Sequence, residues 1–363
     1  MSPTADRPSL PGRAEIIREH RAHGGKVAAV FPIHYPRALL RAHGVLPVEM
    51  WGPPSDMAIA DQHLQAYTCN VVRSGLAFIL GQKAGELDLF VIPHCCDSAQ
   101  GLASVLIDFA PPSAPVVPFY LPRGDAQASL EFAERELEKL ARRLSEITGA
   151  TPSEAELSQA IAREEEADAA LGELLGARAK LPLSNADFYR LVRSREYLPA
   201  ERFTGEARRA LAAKGEPQKA VPVMFSGIVP EPRAVLEELD RLGGRIVADD
   251  FACTGRRAYP AGSSQQPMRR LAESLLGGPP DSTRGSTVDA RAAHLVRLAK
   301  STGARLAVFF HVKFCEPEQF YLPALRKALE AEGVRSIAIE LHPNEPLPHQ
   351  AVTRIEALLE TEA

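Results

Sequence analysis

Eight short apolar runs, bounded by Gly and Pro, fall in two sets of four along the chain. In the first half they are KVAAVF (26–31), LPVEMW (46–51), LDLFVI (87–92) and APVVPFYL (114–121). In the second they are AVPVMF (220–225), GRIVADDF (244–251), RLAVFF (305–310) and RSIAIEL (335–341). Runs of this length, alternating with amphipathic stretches, read as strand–helix units of a parallel sheet. Four strands in each half read as an internal duplication.

The segments that follow the strands correspond too. The first strand of each half runs into FPIHYPRALL or FSGIVPEPRAVLEEL, each a Pro-marked helix start. The second is followed by Cys69, eighteen residues on, or by Cys253, two residues on; the third is followed by PHCCD or HVKFCE. Between the halves, residues 126 to about 215 are rich in Ala, Glu, Arg and Leu and read as a helical insertion. Within it TPSEAEL offers a capping box, with Thr151 as N-cap, Pro152 at N1 and Glu154 at N3. Its acidic run REEEADA reads as a solvated helix surface. The expected fold class is therefore α/β, two similar Rossmann- or flavodoxin-like domains with four-stranded parallel sheets. The expected divisions are an N-terminal helical segment (1–24), a first α/β domain (25–125), the helical insertion (126–215) and a second α/β domain (216–363).

Charge narrows the partners. The 42 Lys and Arg against 46 Asp and Glu leave no basic excess to neutralise a phosphate backbone, so nucleic acid is not expected. The N-terminus, MSPTADRPSLPGRAEIIREH, has no apolar core, and no run of about 18 apolar residues occurs, so neither a leader nor a membrane span is expected. The expected location is the cytoplasm. Five cysteines (Cys69, Cys95, Cys96, Cys253 and Cys315), with no CxxC spacing, read as free thiols or metal ligands rather than a disulfide framework or zinc ribbon.

Ligands of open parallel sheets bind beyond the carboxyl ends of the strands, which directs attention to residues just after them. Cys96 and Cys315 both fall there beside an acid, and facing halves would bring them together with Cys69 although 219 positions separate Cys96 from Cys315. Such a thiolate set suits zinc or an iron–sulfur cluster. Three cysteines on a [4Fe-4S] cubane would leave one iron open to a substrate oxygen, and an open position marks a catalytic metal site. The plain alternative is that free cysteines are small buried hydrophobes, which is the reading for Cys95. Cys253 is either a fourth ligand or a lining residue near a turn at Gly255. His34, His94 and His311 follow strands and read as proton donors, as partners of the metal ligands or as histidines satisfied by backbone. Asp97 and Glu316 read as helix caps. No GxxxxGK[ST], GxGxxG after the first strand, or GxSxG is present, so any ATP energy must come from another chain.

Taken together, FPIHYPRALLRAHGVLPVEMWG, YTCNVVRS, VIPHCCDS, VADDFACTGRR and FFHVKFCEPEQFYLPALRKALEAEG resemble the 2-hydroxyacyl-CoA dehydratase and benzoyl-CoA reductase family over roughly residues 25 to 345. PIHYPRALLRAHG looks nearer to reductase-type chains. The resemblance implies that Cys69, Cys96 and Cys315 ligate one [4Fe-4S] cluster with a fourth position open or held by a small ligand, and that Cys95 stands where the family varies. It also implies a related second subunit and a separate ATP-hydrolysing iron–sulfur activator that feeds single low-potential electrons. The implied substrate is an acyl-CoA or aromatic-CoA thioester, reduced by one electron to a ketyl radical. In that picture His34 and His94 handle protons. Two other readings stand beside it: an electron-relay subunit with no substrate of its own, with Cys253 as fourth donor, or a zinc-binding or metal-free α/β interaction protein.

Overall fold

A computed structural model describes residues 10–52, 55–83, 85–123, 127–215 and 219–362. The expected absence of a leader falls partly on residues 1–9, outside the described residues, as do residues at the expected boundaries near 125 and 216.

The first half begins with α1 (Arg13–Ala22) and carries β1 (Lys26–Val30), α2 (Arg37–Ala42), β2 (Val45–Glu49), α3 (Asn70–Leu80), β3 (Leu89–His94), α4 (Asp97–Ser104) and β4 (Val116–Tyr120). Four helices follow: α5 (Gln127–Thr148), α6 (Glu154–Ala177), α7 (Asn185–Arg193) and α8 (Ala200–Ala212). The second half holds β5 (Val221–Gly227), α9 (Ala234–Arg241), β6 (Gly244–Phe251), α10 (Pro267–Gly277), α11 (Val288–Thr302), β7 (Leu306–Val312), α12 (Glu316–Ala331), β8 (Arg335–Leu341) and α13 (His349–Glu360). All eight expected strands form.

The two sheets are wholly parallel and share one topology, β2-β1-β3-β4 and β6-β5-β7-β8. In such an order the chain steps outward from the first strand and then recrosses it, so a switch point lies between the first and third strands of each sheet. His34 and Cys96 follow β1 and β3, and Cys315 follows β7. The residues of β1, β2, β6 and β7 are almost uniformly buried, as helices on both faces require, whereas the edge strands β4 and β8 are partly open. One continuous apolar core includes Val27 and Leu46 of the first sheet, Leu171, Leu174 and Phe188 of the intervening helices, and Phe225 and Phe310 of the second sheet. The helical middle thus helps join the two sheets.

Two local expectations need correction. The N-cap of α6 is Ser153, not Thr151: the Ser153 hydroxyl accepts from the Glu156 N–H at 3.3 Å, and the Glu156 carboxylate accepts from the Ser153 N–H at 2.8 Å. The spacing Ser-x-x-Glu recurs two residues after Thr-x-x-Glu, and the later register leaves Pro152 outside the helix. Asp97 and Glu316 are not caps either; they are the first residues of α4 and α12, and Cys96 and Cys315 hold the cap positions. Their carboxylates instead lie by the positive ends of those helices.

Candidate functional site

Three thiols stand at three helix N-termini. Cys69 caps α3, and its carbonyl accepts from the N–H groups of Val72 and Arg73, both at 3.0 Å. The Cys96 carbonyl accepts from Gln100 at 3.0 Å at the start of α4, and that of Cys315 from Glu318 and Gln319 at 3.1 Å at the start of α12. None of the three thiols makes a side-chain cap bond to its helix by geometry. Cys69 and Cys315 are buried; Cys95 and Cys96 are half-buried.

The loops bearing Cys69 and Cys315 are stitched together. The Asn70 N–H donates to the Lys313 carbonyl at 3.3 Å, the Asn70 side chain bonds the His342 ring, and Asn344 donates to the Ser74 hydroxyl. The neighbouring Cys69 thiol, with burial, Glu318 and Cys96, pushes the Cys315 pKa well above that of an ordinary thiol. The Cys96 thiol is pulled down by a hydrogen bond from Cys95, against the opposing effect of burial, with help from the amides of Ala99 and Ser98. That same bond, with burial, drives Cys95 well up. Among the described residues no three His, Cys, Asp or Glu side chains lie close enough to share a single metal ion.

Behind the Cys315 helix lies a buried charge network. Arg256 donates to both oxygens of Glu318 at 2.9 and 2.8 Å, to Asp281 at 3.1 Å and to the Gly227 carbonyl at 3.0 Å. Glu318 sits one turn past Cys315, so this bidentate clamp fixes the start of α12. Arg291 grips Asp250 at 2.8 and 2.6 Å. Burial alone would raise the Asp250 and Asp281 carboxyls, but Arg256 and Arg291, with His34 acting on Asp281, hold both well below the ordinary carboxylate range. The next residue, Arg257, turns the other way and pairs with Glu49 at the end of β2.

The histidines differ. His34 is buried and left-handed, with φ of 58°, beside Ile33 at 66°. Its ring meets the Tyr259 hydroxyl through Nδ1 at 3.1 Å, and its Nε2 lies 3.9 Å from Asp281. Burial depresses its pKa. His94 is more open: its Nε2 is 2.7 Å from the Gln100 side-chain oxygen, its ring stands edge-on to Tyr120 at 5.1 Å, and it lines a cleft of about 210 Å³ with Ile107 and Pro118. His311 lies flat on Phe309 with neither ring nitrogen bonded among the described residues. Cys253 is buried, its pKa driven up by burial against the pull of Arg193, and the groups acting most strongly on it are Arg193, Glu196, Asp249 and Glu231 rather than the other thiols.

Residues 32–361 match the family model described as 2-hydroxyglutaryl-CoA dehydratase, D-component. The chain belongs to that family. Among its relatives, the (R)-phenyllactyl-CoA dehydratase beta subunit of Clostridium sporogenes is 24% identical over 95% of this chain and 94% of its own. The lactoyl-CoA dehydratase subunit beta of Anaerotignum propionicum is 25% identical over 99% and 98%, and a benzoyl-CoA reductase subunit of Thauera aromatica is 25% identical over 92% and 91%.

Within this dehydratase-family chain, sequence reasoning passed over Arg256, Arg257, Asp281, Glu318 and Tyr259. One signal was available. Asp249 and Asp250 lie near the end of a wholly buried strand and are followed closely by Arg256 and Arg257, and acids in a buried strand demand cationic partners. Asp281 and Tyr259 lie in loops and carry no comparable mark.

Proposed function

We propose that this chain is the iron–sulfur subunit of a cytoplasmic, ATP-dependent radical acyl-CoA enzyme, with Cys69, Cys96 and Cys315 holding one [4Fe-4S] cluster. The observation that carries the reading is the backbone bond from Asn70 to Lys313, which sets the helix N-termini bearing Cys69 and Cys315 side by side although the two cysteines are 246 positions apart by numbering. The donor set fits: soft sulfur is the preferred ligand of such clusters, and three helix N-termini favour the negative charge that a thiolate-bound cluster carries.

When bound, the cluster supplies single low-potential electrons and a Lewis-acidic iron corner. The protein's part is to orient the thiols through α3, α4 and α12, to clamp Glu318 with Arg256, and to present proton-handling groups, His34 and His94. The proposed substrate is a CoA thioester of a 2-hydroxy acid or an aromatic acid, the classes named for the relatives. Relatives are named as subunits, which supports a related second chain as partner; a separate ATP-hydrolysing activator would supply the electrons. Tyr67 and Phe320, 65% and 77% exposed, lie on the segments bearing Cys69 and Cys315 and would suit that partner's surface.

Anaerobic purification with iron and sulfide analysis, then electron paramagnetic resonance of the reduced sample, tests the cluster. A brown protein with equal iron and sulfide is expected; a colourless, iron-free protein from iron-replete anaerobic cells would overturn the proposal. Turnover of 2-hydroxyacyl-CoA against benzoyl-CoA, with partner, activator, ATP and reductant, then separates dehydratase from reductase. A subunit that passes electrons but binds neither thioester is a relay.

A further inference from the structure

The most constrained group near the switch point of the first sheet is the imidazole of His34, and what constrains it comes from the other half of the chain. Its backbone N–H donates to the Tyr259 hydroxyl at 3.3 Å, and that same oxygen lies 3.1 Å from its Nδ1. Its Nε2 is buried, has no hydrogen-bond partner among the described residues, and lies 3.9 Å from Asp281 Oδ2. Ile33 and His34 are both left-handed, with φ of 66° and 58°. That conformation is costly for any side chain and most of all for β-branched Ile, so tertiary contacts must hold it.

The hydrogen-bond partners favour one tautomer. The Tyr259 oxygen already accepts the His34 backbone N–H, and its single O–H is oriented best toward Nδ1. Nδ1 is then an acceptor and the ring proton resides on Nε2, facing the Asp281 carboxylate. The opposite tautomer would aim the Nε2 lone pair at that carboxylate and leave the phenol proton without this acceptor. Asp281 is itself fixed, by the Thr283 N–H at 2.7 Å and by Arg256 at 3.1 Å. Arg256 and Arg284 also face the ring, and with burial they oppose a second proton, while Asp281 favours one. Around Tyr259 the charged groups are Arg257, Arg284 and Asp281.

We infer that Tyr259 and Asp281 are positioning residues that hold His34 as a neutral imidazole with its proton on Nε2, a donor kept without a full acceptor until substrate oxygen arrives. The inference deepens the proposed function and rests on its reading of His34 as a proton handler. Gly278 belongs to the same device, because a Cβ there would lie 2.6 Å from the Tyr259 ring and displace it.

The test uses protein labelled at histidine with heavy nitrogen, whose long-range proton–nitrogen correlations report the tautomer directly, with His34→Gln assigning the signal. The wild type is expected to show the Nε2–H form, and Tyr259→Phe and Gly278→Ala to show a changed or mixed tautomer. An Nδ1–H wild type, or a tautomer unmoved in both variants, overturns the inference. In the assembled enzyme Tyr259→Phe is expected to lower kcat about tenfold at unchanged KM and iron content, and His34→Gln about a hundredfold, the lower end of what a positioned proton donor contributes. If the tautomer shifts as expected but His34→Gln keeps full activity, the proton-handling reading fails while the positioning result stands. Loss of iron in His34→Gln would overturn the placement of His34 apart from the cluster ligands.

Discussion

Arg257, just beyond β6 in the second half, forms an ion pair with Glu49, the last residue of β2 in the first. The carboxylate is wholly buried and saturated: it also accepts from the Tyr35 hydroxyl at 2.7 Å, from Arg37 at 2.6 Å and from the Trp51 indole at 3.0 Å. The pair ties the carboxyl edges of the two sheets together, on the side where the thiols and His34 stand. Its neighbour Arg256 forms its ion pairs within the second half, so adjacent arginines divide one task, with one clamping the Cys315 helix and the other clamping the two halves.

Replacing Glu49 with Gln leaves Arg37 and Arg257 buried beside a neutral amide. Breaking one side of a buried pair typically costs about 3–5 kcal/mol, far more than the pair itself contributes against an apolar substitute. Urea unfolding of Glu49→Gln is expected to show a loss of that order; a change below about 0.5 kcal/mol, the range of an ordinary surface substitution, would refute the clamp.

The same carboxylate predicts an acid limb of stability. Burial would raise the Glu49 pKa, but Arg257 and Arg37 outweigh it and lower it from 4.5 to about 2. A depressed folded-state pKa contributes stability that is complete above the unfolded value and disappears as pH falls through the folded one. Unfolding free energy should therefore fall between pH 4.5 and about 2, with Asp250 and Asp281 adding to the fall. In Glu49→Gln the slope over that window should be shallower; equal slopes would show that Glu49 does not titrate this way.

Iron content should separate the cysteines. Cys69→Ala, Cys96→Ala and Cys315→Ala are each expected to lose the iron, whereas Cys95→Ala and Cys253→Ala keep it, because Cys253 answers to Arg193 and its acids rather than to the other thiols. Full iron after loss of any of the first three would overturn the ligand assignment. Oxygen should bleach the native protein, since an open cluster corner is accessible to oxidants.

The two candidate caps of α6 make a simple pair. Ser153→Ala removes the hydroxyl that accepts from Glu156 and should cost about 0.5–2 kcal/mol of stability, read from the denaturation midpoint. Thr151→Ala should change it by less than about 0.5 kcal/mol. The reverse order would restore Thr151 as the cap.

Much of this architecture is written locally. Strand and helix periods, Gly and Pro punctuation and the matched order of units are properties of a few consecutive residues, so all eight strands and the repeated plan were legible. The thiols were legible as candidates because PHCCD and HVKFCE follow strands, and the end of a strand is where an open sheet binds. Even at that scale ambiguity remained: Thr151 and Ser153 offer the same cap spacing two residues apart, and only the path of the helix chose between them.

The partners were decided by tertiary structure. Nothing near Glu49 announces Arg257, 208 positions away, nor does His34 announce Tyr259, 225 positions away. A carboxylate in a strand requires a cation, and a left-handed histidine requires something to hold it, but which residue meets either need depends on how two sheets face each other. Backbone preference is a short-range property of the chain. Charge pairing and proton placement act through space between groups that only the packed core brings together.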